Sequence, residues 1–503
     1  MLTRAHAELR KNQLVPASYL LWNLAIVARV LPSRAKAAAD IFQLQMRRRR
    51  LIAGTGLVLL LLLTLIGTTP WQSWTMTDAD AQGDIVRQVM VLAIVAILPF
   101  APSNARPPMA VPWSLLILLG YCLLTLTWAI EPMVALRRLA FTAVVVWVLV
   151  RCIGDLGAVR SLNITRAVLL FVLIVCYGMV WFSPFGVHSP FDSTGVVGDW
   201  RGIMPHKNEA GALCALTLLF FIFDRRAIPV WLCAAVYAGA GYFLVMSSSR
   251  TSLGVFFVAL AAGAAAGLYN PRHRSAILPV ALILAVGAIG LLGMYLGVIA
   301  DLLDDPTSFS GRAAIWPLLL EFASEQLWTG AGYGSFWQIG PLSPIYTLTD
   351  GWVATAASHG HNGYLDLLVT IGLPGLILAL AVLLVWPALR LLYSYSIAPS
   401  RRALLMSILV FCAAHNMSES SLFDRAKVVN VFLLFAVVLI HRISSQSMGR
   451  HHALRDRLAQ FTGRDQLLGL RRRLGRDARA RQSQDAARWA ARREPASQED
   501  SIA

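Results

Sequence analysis

Apolar runs close to twenty residues long recur along this chain from about residue 51 to residue 441. A helix needs about 20 apolar residues to cross the hydrocarbon core of a bilayer, and about twelve runs are of this kind. They are continuous and rich in Leu, Val, Ala and Ile, unlike the alternating strands of an outer-membrane barrel. Only 14% of the residues are charged, whereas a soluble domain carries about 25%. The sequence therefore predicts an all-α polytopic membrane protein and excludes a soluble globular domain.

The predicted spans divide the chain into three parts. Residues 1–50 form a basic N-terminal segment with a short interfacial helix, residues 51–443 a transmembrane domain, and residues 444–503 an arginine-rich tail. The first span follows a basic stretch, so it lies too deep in the chain to be a cleaved signal peptide. We place the spans at about 51–69, 86–101, 112–130, 138–151, 166–183, 208–223, 228–247, 251–268, 275–299, 363–388, 403–415 and 428–441.

The net charge of +17 comes almost wholly from arginine. Most of these arginines lie at the two ends and in short loops, a distribution typical of membrane topology signals rather than of nucleic-acid binding. Their positions predict that both termini are cytoplasmic, with Arg137 and Arg138 as exceptions in an exported loop. The longest exported loop, about 300–362, is apolar enough to carry amphipathic helices on the membrane surface.

Three arginines on the exported side require an explanation, because positive charge is depleted there. They are Arg201, Arg250 and Arg312. A guanidinium presents a planar fork of donors that suits phosphate oxygens, so arginines that converge at a membrane face predict a site for a lipid diphosphate. The alternative is that each arginine reaches the phosphates of the outer leaflet. Arg250 is the strongest candidate, since it lies between two spans joined by almost no loop.

Two histidines precede the span that begins at residue 363. His359 and His361 would not share a helix face, and no third ligand is evident, so neither a metal site nor a cofactor is predicted. Imidazole titrates near neutral pH, so His361 is a candidate general base. The alternative is a structural histidine whose hydrogen bonds are satisfied at the start of the helix. A second His-Asn pair, His415 and Asn416, is given a structural or lining role, with Glu419 as a candidate to hold an arginine.

These residues resemble the O-antigen ligase and polysaccharide polymerase family, which includes exopolysaccharide repeat-unit polymerases. The hallmark of that family is His followed by Asn, Ser or Gln, nine residues, and then Gly-x-x-Gly. In this chain the pattern is matched by His361, Asn362, Gly372 and Gly375. Further resemblances follow in the expected order at residues 201–211, 247–254, 310–336 and 418–423.

The resemblance implies a GT-C-like fold with about twelve spans and a large periplasmic loop between late spans. Members of the family transfer glycan from undecaprenyl diphosphate to an acceptor hydroxyl, without metal or nucleotide sugar. By motif, His361 corresponds to the essential histidine, and Arg250 and Arg312 to essential arginines, which makes these three the predicted catalytic residues. The predicted substrate-binding residues are Arg201, Asn208 and Asn362.

The acceptor stays open at this point. A polymerase transfers the growing chain to another lipid-linked repeat unit, whereas a ligase transfers the finished glycan to lipid A-core. The segment 359–368 favours the exopolysaccharide polymerase branch. The implied setting is the bacterial inner membrane, with polysaccharide assembly or chain-length proteins as partners. A transporter or flippase is disfavoured because the predicted spans are almost empty of charge, and a non-catalytic scaffold is the remaining alternative.

Overall fold

The computed structural model describes residues 17–67, 85–101, 109–190, 195–225, 228–277, 279–280 and 312–445. Within these ranges the chain is helical, and β pairing is limited to an isolated bridge between Val187 and Trp200. The helices, numbered in chain order, are α1 (Ala17–Ile66), α2 (Ile85–Ile97), α3 (Trp113–Leu124), α4 (Pro132–Leu156), α5 (Ala158–Phe182), α6 (Lys207–Phe223), α7 (Val230–Met246), α8 (Arg250–Leu268), α9 (Trp316–Glu325), α10 (Ile345–Leu348), α11 (Trp352–Ala356), α12 (Gly363–Tyr393), α13 (Pro399–His415) and α14 (Val428–Ser445).

Six of the described helical segments are long and apolar enough to cross a membrane. They are Ala39–Ile66 within α1 and the helices α4, α5, α8, α12 and α14. The prediction of an all-α integral membrane protein is thereby confirmed. Every predicted span falls on a helix except 275–299, which lies mostly outside the described residues. The tail beyond residue 445 and the first sixteen residues also lie outside them, and α1 runs without a break through residue 50.

The end of the bundle predicted to be cytoplasmic contains buried ion pairs. The Asp155 carboxylate at the end of α4 pairs with Arg49 of α1 and with Arg151 one turn earlier. Arg166 of α5 pairs with Asp224 at the end of α6. A buried charge is tolerated only when it is paired and hydrogen-bonded. These pairs explain how charged groups lie against the ends of apolar helices, and they join α1 to α4 and α5 to α6.

Helices α8 and α13 pack closely, and this packing positions the residues at the end of the bundle opposite the buried ion pairs. A Cβ atom on Gly263 would lie 2.8 Å from the Cβ of Ser407, and one on Gly267 would lie 3.2 Å from that of Ala403. Small residues let helix backbones approach closely in membranes, where packing rather than hydrophobicity drives association. The start of α8 therefore lies beside the end of α13, where the predicted site residues are found.

Helix α12 is kinked at Gly372, which has a φ of +68°. Pro374 follows and cannot donate a backbone hydrogen bond, so the helix ladder is interrupted at this point. The freed N–H of Leu373 donates to the carbonyl of Leu327 at 2.8 Å. A Cβ on residue 372 would lie 2.4 Å from the carbonyl oxygen of Trp328. Gly372 of the motif thus allows residues 327–329 to dock directly against the helix backbone.

The glycine-rich segment 330–334 of that loop is anchored by one of the arginines that violated the charge rule. Arg138 is 6% exposed, and its guanidinium donates to the carbonyls of Gly334 at 2.6 Å, Trp337 at 2.8 Å and Gln338 at 3.1 Å. All three glycines of the segment have positive φ, a conformation that glycine adopts without strain. The carbonyls that bind its guanidinium therefore account for an arginine in a segment predicted to be exported.

Candidate functional site

His361 lies in the short turn that leads into α12, with a φ of +49°. The next residue, Asn362, caps the helix, because its side-chain oxygen accepts from the N–H groups of Tyr364 at 3.1 Å and Leu365 at 3.2 Å. The N–H of Asn362 in turn donates to Ser420 Oγ at 3.0 Å. The cap fixes where the helix begins and so holds the His361 ring outside it.

Gly363, the first residue of α12, joins this turn to the segment that follows α13. Its N–H donates to the carbonyls of Asn416 at 2.8 Å and Glu419 at 3.0 Å. A Cβ at this position would lie 2.3 Å from Asn416 Oδ1. Asn416 is buried and accepts at the same oxygen from the N–H and Oγ of Ser421. The close approach of the two segments places the Glu419 side chain beside His361.

Three polar side chains surround the Glu419 carboxylate. Oε1 accepts from Arg312 Nη2 at 2.8 Å and from Asn208 Nδ2 at 2.6 Å. Oε2 lies 3.5 Å from His361 Nδ1. The Glu419 and Arg312 side chains are about 15% exposed, whereas that of His361 is 33% exposed. We name Asn208, Arg312, His361 and Glu419 the carboxylate cluster. It joins four parts of the sequence that are more than 40 residues apart.

The charges around Glu419 keep it ionised. Burial on its own would raise the pKa of this carboxyl, but His361, His415 and Arg312 lower it well below its usual range. A carboxylate facing Nδ1 of an imidazole favours the tautomer that carries the proton on Nδ1. That tautomer leaves Nε2 of His361 as a proton acceptor on a side chain that is one-third exposed. The cluster can therefore orient His361 for general-base chemistry.

Two further histidines near the cluster are held in their neutral form. Burial lowers the pKa of His206 to about 4, and Nδ1 of the same ring accepts the N–H of Asn208 at the start of α6. Burial also lowers the pKa of His359 well below its usual range, and His361 and Lys427 add to the effect. The rings of His359 and His361 have centroids 4.1 Å apart. Neutral neighbours leave the positive charge of this region with the arginines and with Lys427.

Arg250 is the first residue of α8, and its side chain is exposed. Its guanidinium makes no hydrogen bond or ion pair with any residue that the structure describes, and its backbone N–H donates to the carbonyl of Ser248 at 3.0 Å. The next two residues tie this helix start to the carboxylate cluster, since Ser252 Oγ donates to the carbonyl of Asn208 at 3.3 Å and Thr251 Oγ1 accepts from Ser418 at 3.1 Å. Arg250 thus presents an available guanidinium next to residues that contact the cluster.

Arg201 has a different setting from the other two arginines. It is 2% exposed, and its guanidinium donates to the carbonyls of Phe185 at 2.7 Å and Pro205 at 3.3 Å. These bonds shape the loop that precedes α6. Asn362 is likewise engaged as a helix cap. The structure therefore brings Asn208, Arg312 and His361 together, while substrate contacts of Arg201 and Asn362 stay predictions.

The residues of the site also include a set with metal-ligand chemistry. His359, His361 and Glu419 each offer one ligand atom, and these atoms lie within 4.8 Å of one another. Glu419 is the third group that the spacing of the two histidines did not reveal. A cation held there would face the guanidinium of Arg312, which is bound to the same carboxylate. Charge repulsion of that kind weakens a metal site.

Comparison with known proteins shows what this chain is similar to. The model of the O-antigen ligase family matches residues 233–380, which include the start of α8, Arg312 and the histidine motif. The exopolysaccharide production protein ExoQ of Rhizobium meliloti (strain 1021) is 25% identical over 283 residues, which are 52% of this chain. The resemblance to the O-antigen ligase and polysaccharide polymerase family is confirmed. The chain matches 61% of the length of ExoQ. The family match ends before residue 419, so the partner of Arg312 lies beyond it.

Glu419 is the functional residue that sequence reasoning underrated. It was expected only to hold an arginine, and its ion pair with Arg312 confirms that expectation. Its contacts with Asn208 and His361 were not predicted. The available signal was that Glu419 is one of two acids in a short segment, predicted to be exported, between two apolar spans, where a charge needs a partner.

Proposed function

We propose that this protein transfers glycan from undecaprenyl diphosphate to a sugar hydroxyl at the periplasmic face, and that it polymerises lipid-linked polysaccharide repeat units. The observation that carries the proposal is the shared carboxylate of Glu419, which holds Arg312 on one oxygen and faces His361 with the other. A fixed cation can stabilise the leaving diphosphate, and an oriented imidazole can accept the proton of the acceptor hydroxyl. The match to ExoQ, an exopolysaccharide production protein, supports the polymerase branch.

In the proposed reaction, Nε2 of His361 accepts the proton of the acceptor hydroxyl. The hydroxyl oxygen attacks the anomeric carbon of the donor glycan with inversion, and the bond from that carbon to the diphosphate oxygen breaks. Arg312 and Arg250 stabilise the negative charge that develops on the leaving diphosphate. Fixed donors aimed at developing charge typically contribute about 10² to 10³ in rate. Neither a metal ion nor a nucleotide sugar takes part.

The proposal includes an orientation in the inner membrane, with about twelve spans in a GT-C-like arrangement and both termini in the cytoplasm. All six cysteines of the chain are buried, so they should react little with a thiol-labelling reagent. Leu342 is exposed in the loop between α9 and α10, and Ala398 is exposed between α12 and α13. A membrane-impermeant maleimide should label Leu342→Cys in intact spheroplasts and label Ala398→Cys only after lysis. Labelling of Ala398→Cys alone in spheroplasts contradicts the orientation.

A second function, O-antigen ligation to lipid A-core, is favoured by the description of the matched family. Deletion of the gene separates it from polymerisation. A polymerase mutant accumulates single lipid-linked repeat units, whereas a ligase mutant accumulates full-length chains that remain on the lipid. We expect single repeat units. Full-length unligated chains would assign the protein to ligation, and normal polymer without any intermediate would overturn both functions.

A further inference from the structure

A cavity of about 100 Å³ adjoins the carboxylate cluster. His359 lines it, and the ring of His359 lies against that of His361 at 4.1 Å between centroids. Its walls come from the glycine-rich loop, from the first turns of α12 and from residues 420–427. The mechanism proposed above uses none of the groups that line it. The cavity is therefore a separate space next to the proposed general base.

The cavity walls combine aromatic, acidic and basic side chains. Trp337 donates its indole N–H to Asp366 Oδ1 at 2.8 Å, and Asp424 Oδ1 accepts from Arg425 Nε at 2.8 Å. The ammonium of Lys427 makes no hydrogen bond or ion pair with any residue in the described part of the chain. Carboxylates that accept, cations that donate and an aromatic ring together suit a ligand rich in hydroxyl groups.

The backbone around the cavity is strained. Among the described residues other than glycine, five have positive φ, and three of these line the cavity: Gln338 (+53°), Phe423 (+54°) and Arg425 (+38°). A fourth is His361 itself (+49°). Backbone strain of this kind persists mainly at functional sites. The concentration of strain here is an observation independent of the side-chain chemistry.

Mixed charges line the cavity, unlike the group of arginines that suits a diphosphate. Asp366 and Asp424 stand beside Arg138, Arg425 and Lys427 in its walls. Arg138 donates to loop carbonyls and Arg425 pairs with Asp424, whereas Arg312 and Arg250 lie with the cluster outside the cavity. A sugar ring carries many hydroxyls and no obligatory negative charge, so it can donate to both carboxylates. Lys427 can donate to a ring or carboxylate oxygen of the same sugar. The cavity therefore fits the second substrate of the transfer better than the first.

We propose that this cavity binds a sugar residue of the acceptor glycan, with Asp424 and Lys427 as its specificity residues. The proposal rests on the transferase function given above. It assigns the two substrates to different sides of the histidine pair: diphosphate at the arginines, acceptor sugar at the cavity beside His359. The acceptor hydroxyl then reaches His361 without crossing the diphosphate site.

The test uses the purified full-length protein and an oligosaccharide probe. The probe is the repeat unit released by mild acid from the lipid-linked intermediates of the deletion strain. Lys427→Gln should weaken its binding about tenfold, the effect of one charged hydrogen bond, and raise the KM for acceptor while the KM for donor stays unchanged. Lys427→Arg should restore most of the binding. Arg401→Gln, at the other end of the bundle, is the matched control.

Asp424→Asn provides a second test that keeps the size of the side chain, and we expect it too to raise the KM for acceptor only. Wild-type binding and an unchanged KM for acceptor in both variants overturn the acceptor site, as does a rise in the KM for donor alone. Failure of the transferase function is distinguished from these outcomes, because then the deletion strain yields no lipid-linked repeat unit and the wild-type protein transfers none.

Discussion

Arg312 and His361 contact opposite oxygens of one carboxylate, that of Glu419. Nη2 of the arginine lies 2.8 Å from Oε1, and Nδ1 of the histidine lies 3.5 Å from Oε2. The two residues are 49 positions apart in the sequence and come from the long loop and from the turn before α12. Because one rigid group positions both, a cation for the leaving group and a base for the acceptor keep a fixed separation.

Substitution of Glu419 by Gln should impair turnover more than folding. The amide keeps the size of the side chain but removes the charge that orients Nδ1 of His361 and pairs with Arg312. General-base catalysis contributes about 10² to 10⁴ in rate, so we expect a loss of about 10²-fold in transfer by the purified protein. Glu419→Asp, which keeps the charge, should retain more activity than Glu419→Gln. Equal activity of Glu419→Gln and wild type would exclude the orienting role.

Arg250 and Arg201 should respond in opposite ways to replacement by Gln. Arg250 is exposed and has no partner among the described residues, so Arg250→Gln should leave the unfolding temperature unchanged and lower turnover about 10²-fold or more. Arg201 is buried and donates to two carbonyls, so Arg201→Gln should lower the free energy of unfolding by about 1 to 3 kcal/mol. Thermal unfolding in detergent, measured together with turnover, separates the two effects. Full turnover in Arg250→Gln contradicts its proposed contact with the diphosphate.

Because α12 is kinked at Gly372, replacing this glycine with alanine should affect stability differently from replacing a glycine in a regular helix. Gly372→Ala would force a Cβ to within 2.4 Å of the Trp328 carbonyl oxygen at a positive φ, at a cost of about 1 to 3 kcal/mol in stability. Gly178→Ala, in the regular helix α5, meets no atom within 4 Å and should stabilise the protein by up to about 1 kcal/mol. Thermal unfolding of the two variants in the same detergent checks the contrast. Equal unfolding temperatures would mean that the close approach at Gly372 does not constrain the fold.

Protonation of His206 should lower the stability of the protein as the pH falls. Its pKa is lowered to about 4 by burial, from a usual value near 6.5, so the fold favours the neutral ring. The stabilising contribution is complete above pH 6.5 and is lost as the pH falls from 6.5 through 4. His206→Asn keeps a side-chain acceptor for the N–H of Asn208 and removes the titration, so its unfolding temperature should fall less over that range. The exposed His273, changed to Asn, is the control. Identical pH profiles for His206→Asn and wild type would contradict this assignment.

The helical architecture and the motif residues were accessible from the sequence because they depend on local patterns. Apolar length predicts spans, and a histidine-asparagine pair before a glycine motif marks where α12 begins. Gly372 was recognisable as part of a motif, but the reason for a glycine there was not: a Cβ would clash with the carbonyl of Trp328, and the N–H of Leu373 at the kink binds the carbonyl of Leu327. Short-range patterns predict elements, whereas the contacts between elements need the fold.

The partners of the arginines show what the sequence could not provide. All three were identified because they break the charge rule, yet the rule does not distinguish a ligand-binding arginine from a structural one. Arg201 binds carbonyls, Arg312 binds Glu419, and Arg250 is exposed. Arg138 was noted only as an exception, and it anchors the glycine-rich loop. The deciding quantity is what lies within hydrogen-bond distance, which depends on contacts far apart in sequence.

Complementation of a deletion strain with His361→Ala tests the account most directly. His273→Ala, an exposed histidine away from the site, is the matched control, and both proteins are compared at equal abundance in the membrane. We predict that His361→Ala accumulates single lipid-linked repeat units and makes no polymer, while His273→Ala makes polymer at the wild-type level. Wild-type polymer from His361→Ala would contradict the central claim that the imidazole facing Glu419 activates the acceptor hydroxyl.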